Sequence, residues 1–124
     1  MKKAKDKIDM SPEPKVSYIG VIPSSREAKI GKPLNVLGGV RNDAENECPL
    51  RVTLWGRASD TWKELISQEF ILTPKEHKHL YFTIPEECLE PAFWDQKDLP
   101  EIELLTFHKQ PADSSRGILI FVKK

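Results

Sequence analysis

Between residues 29 and 84 the chain alternates apolar and polar positions in three stretches, and nothing between them has helical spacing. Leu34, Val36, Gly38 and Val40 are separated by Asn35, Leu37 and Gly39. Leu50, Val52, Leu54 and Gly56 are separated by Arg51, Thr53 and Trp55, and Leu80, Phe82 and Ile84 by Tyr81 and Thr83. A period of two buries one face of a strand and leaves the other outside. The same criterion predicts strands at 16–22, 34–41, 50–58, 62–72, 76–84, 101–108 and 117–123. A short extended piece at 27–30 follows Pro23, Ser24 and Ser25 and is expected to continue the first strand along an edge. Seven strands at this spacing predict a seven-stranded antiparallel immunoglobulin/fibronectin-like β-sandwich. Val36, Leu54 and Phe82, each central in its strand, are its expected core.

The segments between strands carry turn chemistry. Residues 42–49 are acidic, Thr73, Pro74 and Lys75 make a tight turn, and 109–116 hold Pro111, Asp113 and two serines. The longer connection 85–100 contains Pro85, Pro91 and Pro100, and predicts single helical turns at 85–89 and 91–94. Residues 1–14 are lysine-rich, have no period and end in Ser11-Pro12-Glu13-Pro14. They are expected to form a flexible tail or linker, leaving 15–124 as one sandwich domain.

Charge and composition narrow the function classes. Charged residues make up 31% of the 124 and sum to a formal net charge of zero. That balance lacks the basic footprint of a nucleic-acid binder. No apolar run approaches the ~20 residues of a membrane-spanning helix. The lysines near the N-terminus precede no apolar signal region. The chain as given therefore reads as cytoplasmic, or as extracellular if trimmed from a longer precursor. Cys48 and Cys88 fall at opposite ends of the predicted sandwich, beyond the ~7 Å Cα limit for a disulfide, and are expected to be free thiols.

The run from Ala28 to Asn42 contains Gly31, Leu34, Val36, Val40 and Asn42 in the order G-x-x-φ-x-φ-x-x-x-V-x-N, where φ is apolar. With Leu50-Arg51-Val52-Thr53-Leu54-Trp55 it resembles the bacterial immunoglobulin-like modules of the CARDB-like group. The resemblance implies a non-catalytic, largely extracellular module. The strand at 101–108 departs from that pattern: Pro100-Glu101-Ile102-Glu103 stands where those modules have Gly-x-Tyr.

Successive strands reverse direction, so the turns at 42–49, 73–75 and 109–116 are expected at one end of the sandwich. Those at 59–61 and 85–100 are expected at the other. Cys48, His77, His79 and His108 then share the first end. His77 and His79, two apart on a strand, project to one face, as two imidazole ligands of a metal would. That face also carries Tyr81 and Thr83 and is expected to be wet. The set also spans two sheets about 10 Å apart. Neither metal nor cofactor is therefore expected, and these four are the candidates for one. No nucleophile motif, thiol-activating neighbour or phosphate-cradling loop is present.

The aromatic residues are the stronger candidates. Trp55 has outward parity, while Trp62, Phe93 and Trp94 fall at the second end. They are expected either to cap the core or to form a binding platform, since tryptophan is frequent in interface hot spots and its ring stacks on sugars. The sequence thus reads as a non-catalytic module for a protein partner or neighbouring domain. Its alternatives are a carbohydrate-binding sandwich using Trp55 or Trp62 and a small metal-binding redox protein using the histidines.

Overall fold

The computed structural model describes residues 13–124. Its strands are β1 (Val16–Pro23), β2 (Glu27–Lys29), β3 (Leu34–Asn42), β4 (Cys48–Arg57), β5 (Trp62–Leu72), β6 (His77–Ile84), β7 (Glu101–Phe107) and β8 (Ile118–Lys123). One sheet has the order β1-β3-β6 and the other β2-β8-β7-β4-β5. Between β6 and β7 lie two single 3-10 turns, Glu86–Leu89 and Pro91–Trp94, the first capped by Pro85 and the second opened by Pro91 at its first position. Among the described residues, no helix is long and apolar enough to cross a membrane. Of the expected tail, residues 1–12 lie outside the described part.

The two sheets bury the expected face. Val36 and Phe82 are 2% exposed and Leu54 is fully buried. Val36 and Phe82 are cross-strand partners on β3 and β6, and Leu54 faces them from β4. Trp55 and Thr53 are buried as well, so β4 is covered on both faces over Val52–Gly56. Simple alternation does not predict that second cover.

Two expectations are corrected. The piece after Pro23 does not continue the edge of β1. The chain leaves the three-stranded sheet at Ser24, and β2 joins the other sheet, parallel to β8, with Ala28 opposite Val122. The sandwich therefore has eight strands, and its larger sheet is mixed. Periodicity reports which face of a strand is buried, not which strand it pairs with, and three residues are too few to show either. β1 is also bent. Its pairing with β3 shifts between Tyr18 and Val21, and Gly20 takes φ +57° there, a conformation glycine adopts without steric cost.

The second correction concerns 108–117. β8 pairs with β7 only from Glu101 to Leu104, whereas β7 continues to Phe107 against β4. The segment that joins them must return over three unpaired positions. It does so as a strap across the outer face of the larger sheet instead of staying at one end. Trp62 Nε1 donates to Ala112 O at 3.1 Å, and Arg57 donates to Asp113 O and Ser115 O, both at 2.8 Å.

At the first end, buried Asn42 ties two turns together. Its Nδ2 donates to Asn46 O (2.8 Å) and Thr73 O (3.0 Å), and its Oδ1 accepts from Ala44 N (3.0 Å). A fully buried amide satisfied on both sides fixes its surroundings, whereas an unsatisfied one would cost roughly 1–3 kcal/mol.

Candidate functional site

The structure separates the candidate metal ligands. His77 and His79 stand on the outer face of the three-stranded sheet, exposed, with ring centroids 5.0 Å apart. His108, just past β7, turns instead toward β1. Its Nδ1 is 2.7 Å from the Tyr18 hydroxyl, its Nε2 is 3.3 Å from Glu13 Oε1, and its ring stacks on Tyr18. Cys48 is half-buried at the start of β4. Among the described residues, no three His, Cys, Asp or Glu side chains are grouped as a metal would need. The first end of the sandwich therefore holds two exposed imidazoles on one sheet and a Tyr–His–Glu chain between the sheets. Burial, with Cys48 nearby, pushes the Tyr18 phenol well above its ordinary range, so it remains a neutral hydrogen-bonding group. Glu13 is held below the usual carboxylate range by its bond to His108 and then by Lys109.

Both thiols are free. Cys88 is buried, and burial, reinforced by Glu87, raises its pKa. Titration of unfolded, unreduced protein is expected to give two thiols per chain. In the native protein, Cys48 is expected to react well ahead of Cys88. A single thiol after unfolding would contradict the separation of the two residues.

The tryptophans are not a free platform. Trp55 has the expected outward parity but is buried, 8% exposed, with Nε1 donating at 3.3 Å to Phe107 O, the residue before the strap. Trp62 is 3% exposed, and the Arg57 guanidinium lies 4.3 Å from its ring centre. Trp94 is 6% exposed and donates to Cys88 O at 2.9 Å. Phe93 is half-buried, with Lys63 Nζ 2.6 Å from its carbonyl oxygen and 4.9 Å from its ring centre. Phe93 and Trp94 thus close the second end of the core, while Trp62 lies outside that core, under the strap. A ligand that stacks needs an open ring face, and none of the three indoles offers one.

The strap is fastened by charge. Arg57 and Glu103 are cross-strand partners on β4 and β7, and their side chains are only 10% and 16% exposed. Arg57 Nη2 reaches Glu103 Oε1 at 2.8 Å, and Glu103 Oε2 accepts the Gly117 N–H at 2.6 Å. Burial works to raise the Glu103 pKa. The bonds from Arg57 and Gly117 outweigh it, and the carboxyl stays below its ordinary range.

Among the described residues, none covers the opposite outer face, over the three-stranded sheet, in this way. Ile22, Leu37 and Tyr81 are consecutive cross-strand neighbours on β1, β3 and β6. Ile22 is 62% exposed and Tyr81 is 73% exposed. One pleat away, Asn35 and Thr83 are also paired, and the Thr83 hydroxyl donates to Asn35 Oδ1 at 2.9 Å. These residues line a shallow groove with Pro23 and Ser24, and none of its lining residues is charged. The sequence places Tyr81 on a wet face. Its junction with Ile22 and Leu37 depends on register between strands far apart in the chain.

No family model matches the chain, and no curated protein matches its sequence. Solved structures do match its fold. The β-glucosidase EmGH1 of Erythrobacter marinus superposes with a TM-score of 0.72 at 16% identity, over 89% of this chain and 16% of its own. A β-glucosidase involved in saponin metabolism from intestinal bacteria gives 0.69 at 16% identity, with the same two coverages. The β-D-glucoside glucohydrolase of Trichoderma reesei gives 0.63 at 15% identity, over 95% of this chain and 21% of its own. The likeness is one of fold, and this chain spans between a sixth and about a fifth of the length of these enzymes.

Proposed function

We propose that this chain is a non-catalytic interaction module, an immunoglobulin/fibronectin-like β-sandwich that binds a protein partner or packs against a neighbouring domain. The observation that carries this reading is the share of the matched enzymes that the fold occupies: 16% of the EmGH1 chain. In those proteins a unit of this size and shape accompanies a much larger remainder. The three-plus-five strand arrangement supports the immunoglobulin-like assignment, with β1, β3 and β6 in one layer and β2, β8, β7, β4 and β5 in the other. The resemblance of Ala28–Asn42 and Leu50–Trp55 to CARDB-like modules points the same way.

The test is cross-linking in the native source, followed by affinity purification. A single protein recovered in stoichiometric amount, which rebinds the purified chain, is the expected result. Hydrolysis of an aryl β-glucoside by the purified chain, abolished by substitution of one of its own residues, would overturn the non-catalytic reading.

A further inference from the structure

We propose that the uncharged groove over the three-stranded sheet binds a neutral oligosaccharide, with Tyr81 as its stacking platform. This site is distinct from the tryptophans and goes beyond the attachment role. It stands or falls whichever protein the module attaches to.

The case rests on how two neighbouring rows of side chains differ. The row Ile22-Leu37-Tyr81 is apolar and runs across the strands for roughly 10 Å, two inter-strand spacings. A pyranose presents axial C–H groups on its face, and an exposed aromatic ring receives such a face well. Among the described residues, Tyr81 is the most exposed of the large hydrophobic side chains, at 73%, so these residues leave its ring open. The adjacent row Asn35-Thr83 is polar and neutral. The bond from Thr83 to Asn35 Oδ1 orients the amide and leaves its Nδ2 as a donor at the rim. The same bond uses the Thr83 proton and leaves the threonine oxygen as an acceptor. A sugar hydroxyl is both donor and acceptor and can use the two together.

The lack of charge narrows the ligand. No groove-lining residue carries a formal charge, so a phosphate, a sulfated glycan or an acidic peptide would find no counter-charge there. An apolar floor with a few fixed polar groups at its edge is the usual make-up of a small-ligand site. On the other outer face the tryptophans are buried, and the exposed Phe121 stands between Glu27 and Glu101, its cross-strand partners, so it has no uncharged surround.

The experiment is a two-dimensional amide NMR titration of the chain with cellohexaose, xylohexaose, mannohexaose and maltohexaose in turn, at up to millimolar concentration. At least one is expected to shift the amides of Leu37, Tyr81 and Thr83 in a saturable way. Tyr81→Ala is expected to weaken that binding about tenfold or more. Tyr81→Phe is expected to retain it, because the ring is the platform. Phe121→Ala removes an exposed ring from the other sheet and is expected to leave binding unchanged. The melting temperature of Tyr81→Ala is expected to match that of wild type, which separates lost binding from lost fold. Absence of saturable shifts with all four sugars would overturn the proposal. So would full binding by Tyr81→Ala, or equal loss in Tyr81→Phe. A protein partner that protects Tyr81 while no sugar binds would assign the face to protein docking instead.

Discussion

Replacing Phe82 by alanine is expected to destabilise the domain by about 3–5 kcal/mol, the usual cost of truncating a buried aromatic side chain. Phe82 is 2% exposed and lies between the two sheets, opposite Val36 on β3. Its neighbour Gly38 is packed closely enough that a Cβ there would lie 3.8 Å from the ring. A typical domain has ~5–15 kcal/mol in total, so the loss would be a large share of it. The adjacent residue supplies the control. Tyr81 is 73% exposed on the opposite face of the same strand, and Tyr81→Ala is expected to stay within about 0.5 kcal/mol of wild type. Denaturant melts measure both as midpoint shifts at unchanged slope. A Phe82→Ala loss below about 1 kcal/mol, or a Tyr81→Ala loss as large as that of Phe82→Ala, would mean that the parity of β6 is reversed.

The local part of the fold was legible because it is written with period two. Leu34–Val40, Leu50–Leu54 and Leu80–Ile84 each declare their buried face, and the sandwich follows from burying all three. The ends of β5 at Trp62 and Leu72 were legible too, because Ser59, Asp60 and Thr61 on one side and Thr73 and Pro74 on the other are turn formers. What was not legible is non-local. Ala28 pairs with Val122 across almost the whole chain, and nothing within Glu27–Lys29 encodes that partner. The strap was hidden for the same reason. Residues 109–116 have the composition of any hairpin loop, and their path is set by β8 pairing with only the first part of β7.

Much the same division runs through the candidate site. Residue type singled out Trp55, Trp62 and Trp94, yet the fold uses those large rings to close its second end and to seat the strap. Burial overrides the functional promise of an aromatic side chain when its polar tip finds a backbone carbonyl, as all three indoles do here. The three histidines share an end of the molecule but not a surface, since His108 turns to Tyr18 and the other two face outward. Tyr81 was visible only as one wet residue among several. Its environment forms when β1 and β6 both align on β3, which places Ile22 and Tyr81 on either side of Leu37. One signal was present in retrospect: outward-parity apolar residues occur in three separate strands, where a solvated face would carry polar ones.

Removing the charge that fastens the strap has a large and pH-dependent expected effect. In Arg57→Ala, Glu103 remains behind with a side chain only 16% exposed and without its paired guanidinium, and the carbonyls of Asp113 and Ser115 lose their bonds from Arg57 and keep only those from Arg116. Breaking such a pair by deleting one partner is expected to cost about 3 kcal/mol near neutral pH. Trp62 also loses the guanidinium that lies over its ring. The strap should lift, so tryptophan emission should shift to the red as Trp62 meets water. The end of the strap at Gly117 lies directly against β7, where a Cβ would come within 1.9 Å of Leu104 O. The pH dependence follows from Glu103, whose folded pKa is depressed. A depressed carboxyl binds fewer protons folded than unfolded, so its contribution is complete above the unfolded value of ~4.3 and is lost as pH falls through the folded value. The stability gap between wild type and Arg57→Ala should therefore be constant from about pH 6 to 9 and should narrow only in acid. Glu103→Gln tests the same linkage from the other side: it keeps the shape, removes the titrating group and should flatten the acid limb of the stability curve. Denaturant melts across that pH range measure all three proteins. A gap under about 0.5 kcal/mol at neutral pH, or one that widens as pH falls, would mean that the strap is held by packing on Trp62 alone and that the Arg57–Glu103 pair contributes little to it.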